Sequence, residues 1–164
     1  MLAIGLIAWA TVGVGTAQAA CDSPEHARLD FWLGEWEVRT ESGSVAAQTS
    51  VQRTLDGCAV EQTWTASDGM RARGLFFYFE RTGRWHLTWI ETRGLLLRLD
   101  GQEREGALVF SGDAPGGDGV TVHHEFSLER LEDGRLRQTW RQARDGAEES
   151  AAGFTLLYHP RHPP

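Results

Sequence analysis

Ala59-Val-Glu-Gln-Thr-Trp-Thr-Ala66, then Ser67-Asp-Gly-Met70, then Arg71-Ala-Arg-Gly-Leu-Phe-Phe-Tyr-Phe79 is the stretch that decides the fold. Its two flanking runs have strand length, are rich in β-branched and aromatic residues, and contain no Pro that would bar a central strand. The Asp68-Gly69 pair between them supplies the positive φ angles of a tight hairpin. Outward from this hairpin the same grammar repeats. Turn signals occur at Ser42-Gly43, Asp56-Gly57, Thr82-Gly83, Arg93-Gly94, Asp100-Gly101, in the loop from Asp113 to Gly119, at Asp133-Gly134 and at Asp145-Gly146. Between them lie Trp85 to Thr92, Val120 to Glu129, Leu136 to Ala143 and Ala151 to Tyr158. Consecutive hairpins without intervening helices predict an all-β chain, an up-and-down antiparallel meander of about eight to ten strands. A sheet of that size is expected to close into a single barrel, which removes both exposed edges. Only Ser23-Pro24-Glu25 reads as a helix start, with Ser as N-cap and Pro at the first helical position, and it predicts one short N-terminal helix.

Composition limits the function. The chain has 164 residues, 41% of them apolar, which suits one domain with a real core. Its formal net charge is -7, and all 16 basic residues are Arg, with no run forming a basic stripe, so nucleic acid is not an expected partner. Residues Leu2 to Val14 carry no charge and lead to Ala17-Gln18-Ala19, a small-x-small cleavage pattern. Residues 1–19 therefore read as a signal peptide and 20–164 as the barrel domain. The apolar run is shorter than the ~20 residues that span a bilayer, so stable membrane insertion is not expected. The location predicted is periplasmic or secreted. Cys21 also raises lipidation, although Gln18 stands where a lipidated protein usually has Leu. In an oxidising compartment Cys21 and Cys58, the two cysteines of the chain, can form one intramolecular bridge; two separate buried thiols are the alternative.

The segment Leu29-Asp-Phe-Trp-Leu-Gly-Glu-Trp-Glu-Val38 resembles the opening of a family of secreted bacterial proteins of unknown function, the DUF1579 type, in the calycin-like, lipocalin-like group. The resemblance continues through Leu55-Asp-Gly-Cys-Ala-Val-Glu-Gln-Thr-Trp64, Gly83-Arg-Trp-His-Leu-Thr-Trp89 and Gly134-Arg-Leu-Arg-Gln-Thr-Trp140. It implies a lipocalin-like β-barrel around a cavity, a fold that hosts transport, storage, enzymatic and structural roles. Gly34-Glu35-Trp36 looks like the Gly-x-Trp of such barrels. That likeness implies that Gly34 bends the chain into the first strand, and that Trp36 closes the barrel floor against an Arg, for which Arg161 is the candidate.

Strand parity selects the site candidates. Residues i and i+2 share a face, so Trp85, Leu87 and Trp89 point one way and His86, Thr88 and Ile90 the other. A paired-Trp face belongs in the core or in a subunit contact, the latter giving a homodimer. Leu95 to Leu99 leaves its own orientation open. Trp64 shares a face with Gln62 and Val60, and Trp140 with Gln138 and Leu136. Two strands each bearing a Trp and a Gln suit an apolar cavity with a few polar fixtures. Trp64, His86, Trp89, Gln138 and Trp140 are the ligand-binding candidates, and His86 with Glu61 is the acid–base candidate pair. His123 and His124 face opposite ways, the tail histidines His159 and His162 lack companions, and no metal site is expected. Nucleophile elbows and phosphate loops are missing.

The leading function is an exported barrel that holds a small, largely apolar ligand in its interior, with no cofactor. The alternatives are an enzyme working in the cavity through His86 and Glu61, a haem-binding, nitrobindin-like barrel, and a structural or interaction protein whose barrel is filled.

Overall fold

The structure, a computed structural model, describes residues 21–105, 107–145 and 152–161. The signal peptide read at 1–19 lies outside the described residues. Ten strands follow one another: β1 (Gly34–Thr40), β2 (Val45–Thr54), β3 (Ala59–Ala66), β4 (Arg71–Phe79), β5 (Arg84–Glu91), β6 (Leu96–Arg104), β7 (Ala107–Pro115), β8 (Thr121–Arg130), β9 (Leu136–Arg144) and β10 (Ala152–Pro160). Each pairs antiparallel with its sequence neighbours, and β1 closes on β10 through the register Trp36↔Pro160 to Thr40↔Leu156. The result is a closed up-and-down barrel, as the spacing of turns predicts. Gly69 indeed takes positive φ (84°) in the β3–β4 hairpin.

Period-2 burial runs round the barrel. Trp85 and Leu87 on β5, Leu97 and Leu99 on β6, and Phe126 and Leu128 on β8 are buried, while His123, Glu129 and Arg137 face outward and are exposed. Apolar inside and charged outside is the reverse of the apolar outer band of a membrane-spanning barrel. No helix among the described residues is long and apolar enough to cross a membrane. The paired-Trp face is used inside the barrel, which resolves the choice between core and subunit contact in favour of the core. The Leu95 to Leu99 stretch is resolved as well: Leu97 and Leu99 point in, and Leu96 is exposed.

One turn assignment fails outright; the loop read at Asp113 to Gly119 starts only after β7 ends at Pro115, and Asp145-Gly146 runs outside the described residues. The failed assignment, Asp100-Gly101, lies within β6. A Cβ on Gly101 would sit 2.6 Å from Phe110 Cε1 and 2.7 Å from the Trp85 Cβ, so this glycine makes room for two aromatic side chains inside the barrel.

Alternating strand direction sorts the connections onto two ends. One end is plugged by η1 (His26–Trp32), a 3-10 helix. With three residues per turn, i and i+3 eclipse, and its buried residues are His26, Leu29 and Trp32. Trp32 is fully buried, with ring centroids 5.0 Å from Phe76 and 6.2 Å from Tyr158. The N-terminal helix is thus present but differs from the expected one. Its N-cap is Glu25, with no side-chain cap, and the Ser23 hydroxyl instead meets His26 Nδ1 at 2.9 Å.

Two further ties hold the plug. Cys21 and Cys58 are bridged, joining the segment before η1 to the residue after the short 3-10 turn η2 (Leu55–Gly57). Arg53 at the end of β2 donates to Asp30 Oδ1 (3.0 Å), the His26 carbonyl (2.9 Å) and the Gly57 carbonyl (2.7 Å). Gly34 bends the chain out of η1 with φ 130°, a value that L side chains rarely adopt. Trp36 packs inward, its Nε1 donating to the Trp32 carbonyl at 2.8 Å. The expected stacking partner is different, however. Arg161 donates its backbone N–H to the Glu35 carbonyl and its guanidinium to Gln48 Oε1 (3.1 Å) on the outer face, and Trp36 meets the Tyr158 ring instead.

Candidate functional site

The end opposite the plug carries a cavity of about 230 Å³. At inward positions near this end, β2 offers Ala47 and Thr49, and β4 offers Ala72 and Gly74. A Cβ on Gly74 would already press on Phe76 and Trp89, each at 3.1 Å. Gly74 thus gives its space to Phe76 and Trp89, two of the rings that line the cavity.

Aromatic rings make the walls. Trp64 on β3 and Trp89 on β5 meet at 6.2 Å with planes 71° apart, while Trp140 on β9 stacks on Phe154 of β10 at 6.1 Å. The Trp140 Nε1 is buried and unpaired among the described residues. Phe76, Leu87 and Phe126 line the deeper part.

At the floor lies a polar chain whose direction is set by its donors. The Thr49 hydroxyl donates to the Thr63 carbonyl (2.7 Å) and accepts from Gln62 Nε2 (3.1 Å). The same Nε2 donates to the Tyr158 hydroxyl at 3.4 Å, and that hydroxyl donates to Gln138 Oε1. Burial raises the Tyr158 pKa, opposed by the Gln62 hydrogen bond, so the phenol stays a neutral donor. Both N–H bonds of Gln62 and the oxygen of Gln138 are thereby committed. Gln62 Oε1 and Gln138 Nε2 have no hydrogen-bond partner among the described residues, and both side chains line the cavity. The floor therefore presents one acceptor and one donor to an occupant.

The sequence candidates separate cleanly. Trp64, Trp89, Gln138 and Trp140 line the cavity. His86 does not: parity sends it outward, where Nδ1 pairs with Asp100 Oδ1 at 2.8 Å. Glu61 is also on the outer face, paired with Arg73 at 2.8 Å. The two are not partners of one another and neither reaches the cavity, so the proposed acid–base pair is not assembled and His86 is not a cavity-lining residue. Sequence reasoning put Gln62 on the cavity face of Trp64 without naming it among the binding residues, and passed over Phe154, Tyr158 and Glu91. Parity was the available signal for Gln62 and Glu91, which share the inward faces of Trp64 and Trp89.

Unlike His86, His124 of β8 points inward, edge-on to Trp140 at 5.9 Å and 3.5 Å from Gln142 Nε2. Burial lowers its pKa, reinforced by the charge of His123 and opposed by Asp113. It does not line the cavity. Haem does not fit these residues: no imidazole among the described residues lines the cavity, and its volume is below the ~300–1,000 Å³ of sites for drug-sized ligands. No group of three or more His, Cys, Asp or Glu among the described residues could hold a metal ion.

No protein-family model and no curated protein sequence matches the chain.

Proposed function

We propose that this is an exported, lipocalin-like barrel of the DUF1579 type that binds a small, largely apolar molecule in the cavity at its open end. The observation that carries the reading is the aromatic-walled hollow with an unpaired amide oxygen and an unpaired amide N–H at its floor. The Trp140 Nε1 on the wall is buried without a partner among the described residues, which is costly, and an occupant bearing a carbonyl or hydroxyl would satisfy it while meeting the two amide groups at the floor. Size sets the class of molecule: 230 Å³ is about half as large again as the roughly 150 Å³ cavity that accepts benzene, which points to one substituted ring or a short branched chain. Burying ~200 Å² of apolar ligand surface at ~25 cal/mol per Å² gives about 5 kcal/mol, a Kd on the order of 0.1 mM for a ring without polar contacts. The bridge and the signal-like leader support residence in the periplasm or outside the cell.

Native mass spectrometry of the purified protein, followed by tryptophan fluorescence titration with indole and naphthalene, tests this reading. A co-purifying small molecule, or saturable quenching that Trp140→Leu weakens, is expected. A bare protein whose emission responds to neither ring would overturn it.

A further inference from the structure

We propose that the cavity selects a cationic ligand, a small apolar molecule carrying an ammonium group that lies against Glu91 and the surrounding tryptophan faces. This rests on the binding reading above and adds the ligand's charge.

Sixteen arginines are spread over the chain, yet none lines the cavity; among the described residues its one charged lining residue is Glu91. Register places this carboxylate. Trp64 pairs with Ala72, and Ala72 with Glu91, so the three lie at one level across β3, β4 and β5. Neighbouring strands are ~4.8 Å apart, and the small Ala72 between them leaves Trp64 and Glu91 to border one space. Trp89 precedes Glu91 by two residues on the same inward face, and its ring stands 71° to that of Trp64. A carboxylate beside two crossed indole faces, with the Trp140–Phe154 stack also lining the cavity, is a cation-accepting arrangement, because the ring faces carry negative quadrupole potential.

Arg93 feels the charge of Glu91 but forms no ion pair with it among the described residues. Arg93 is committed to Asp68 at 2.7 Å, Arg73 to Glu61 at 2.8 Å, and Arg71 lies on the outward side of β4. Glu91 itself makes no side-chain hydrogen bond or ion pair among the described residues. The same features exclude anions: a fatty-acid carboxylate would approach Glu91 and the π faces with no Arg on the lining to receive it. The net charge of -7 biases long-range attraction the same way.

The test compares three probes of similar shape by isothermal titration calorimetry at low salt: phenyltrimethylammonium, its neutral isostere tert-butylbenzene, and benzenesulfonate. Phenyltrimethylammonium is expected to bind about tenfold more tightly than tert-butylbenzene, and benzenesulfonate most weakly. Glu91→Gln should remove most of that preference by weakening the cation far more than tert-butylbenzene, with unchanged folded tryptophan emission and melting temperature reporting an intact fold. Tert-butylbenzene binding as tightly as the cation, or an unchanged ratio in folded Glu91→Gln, overturns charge selection while leaving the apolar binding reading in place. Failure of all three probes to bind overturns both.

Discussion

Removing the Cys21–Cys58 bridge should cost the protein nearly 4 kcal/mol without altering its folded state. The bridged residues are 37 apart in sequence. For a loop of that size the chain-entropy relation gives about 3.8 kcal/mol, by which the closed loop restricts the unfolded ensemble. The folded plug does not depend on the bridge alone, since Arg53 grips Asp30, His26 and Gly57, and Trp32 is seated among Phe76, Phe126 and Tyr158. The expected loss therefore arises in the unfolded chain. Urea denaturation of the protein and of Cys21→Ser/Cys58→Ser, followed by tryptophan emission, reads it directly, and for a domain of this size the melting temperature should fall by roughly 10–15 °C. The folded emission spectrum should be unchanged, because Trp32 and Trp36 stay where they are. A loss below about 1 kcal/mol would refute the loop-entropy origin. A red-shifted spectrum in the absence of urea would instead show that the bridge, rather than Arg53 and Trp32, keeps η1 in the barrel.

Trp32→Ala should cost about 3–5 kcal/mol in the same denaturation assay, and Trp32→Phe distinctly less, because losing the indole also removes a buried N–H that has no partner among the described residues. Gly101→Ala should lower stability by about 1–3 kcal/mol despite its better backbone propensity, since its Cβ would collide with Phe110 and Trp85; a neutral or stabilising effect by calorimetry would show that those rings can yield. For His124, burial holds the folded pKa below the ordinary 6.5, so acid protonates the unfolded chain first. Stability should be full above pH 6.5, decline as pH falls below it, and stop declining on this account once the lower folded value is passed. Urea midpoints measured from pH 7.5 downward should show a slope that His124→Gln flattens.

The barrel was legible because its information is local. Each Asp-Gly or Ser-Gly hairpin stands between period-2 segments, and Ala59–Ala66 and Arg71–Phe79 coincide with β3 and β4 as read from the sequence. The inward direction of Trp85, Leu87 and Trp89 followed from the cost of exposing two indoles, and that parity already sent His86 outward. Asp100-Gly101 was misread because a glycine that yields volume to a neighbour looks the same in sequence as one that turns the chain. The plug was missed for a related reason. His26, Leu29 and Trp32 repeat every three residues, a 3-10 signature that a search at 3.6 residues per turn passes over. Arg161 was assigned by likeness to lipocalin-like barrels, and its reach to Gln48 depends on where β10 ends relative to β2, which no local pattern encodes. The floor chain Thr49–Gln62–Tyr158–Gln138 draws on four strands and needs the closed register to exist.

A crystal structure of the protein soaked with indole at saturating concentration tests the binding cavity most directly. Density for the ring between the Trp64–Trp89 corner and the Trp140–Phe154 stack, with the indole N–H directed at Gln62 Oε1, is the expected result. A cavity closed by repacked tryptophans, or ring density confined to the exposed Leu75 and Phe77 on the outer face of β4, would contradict it.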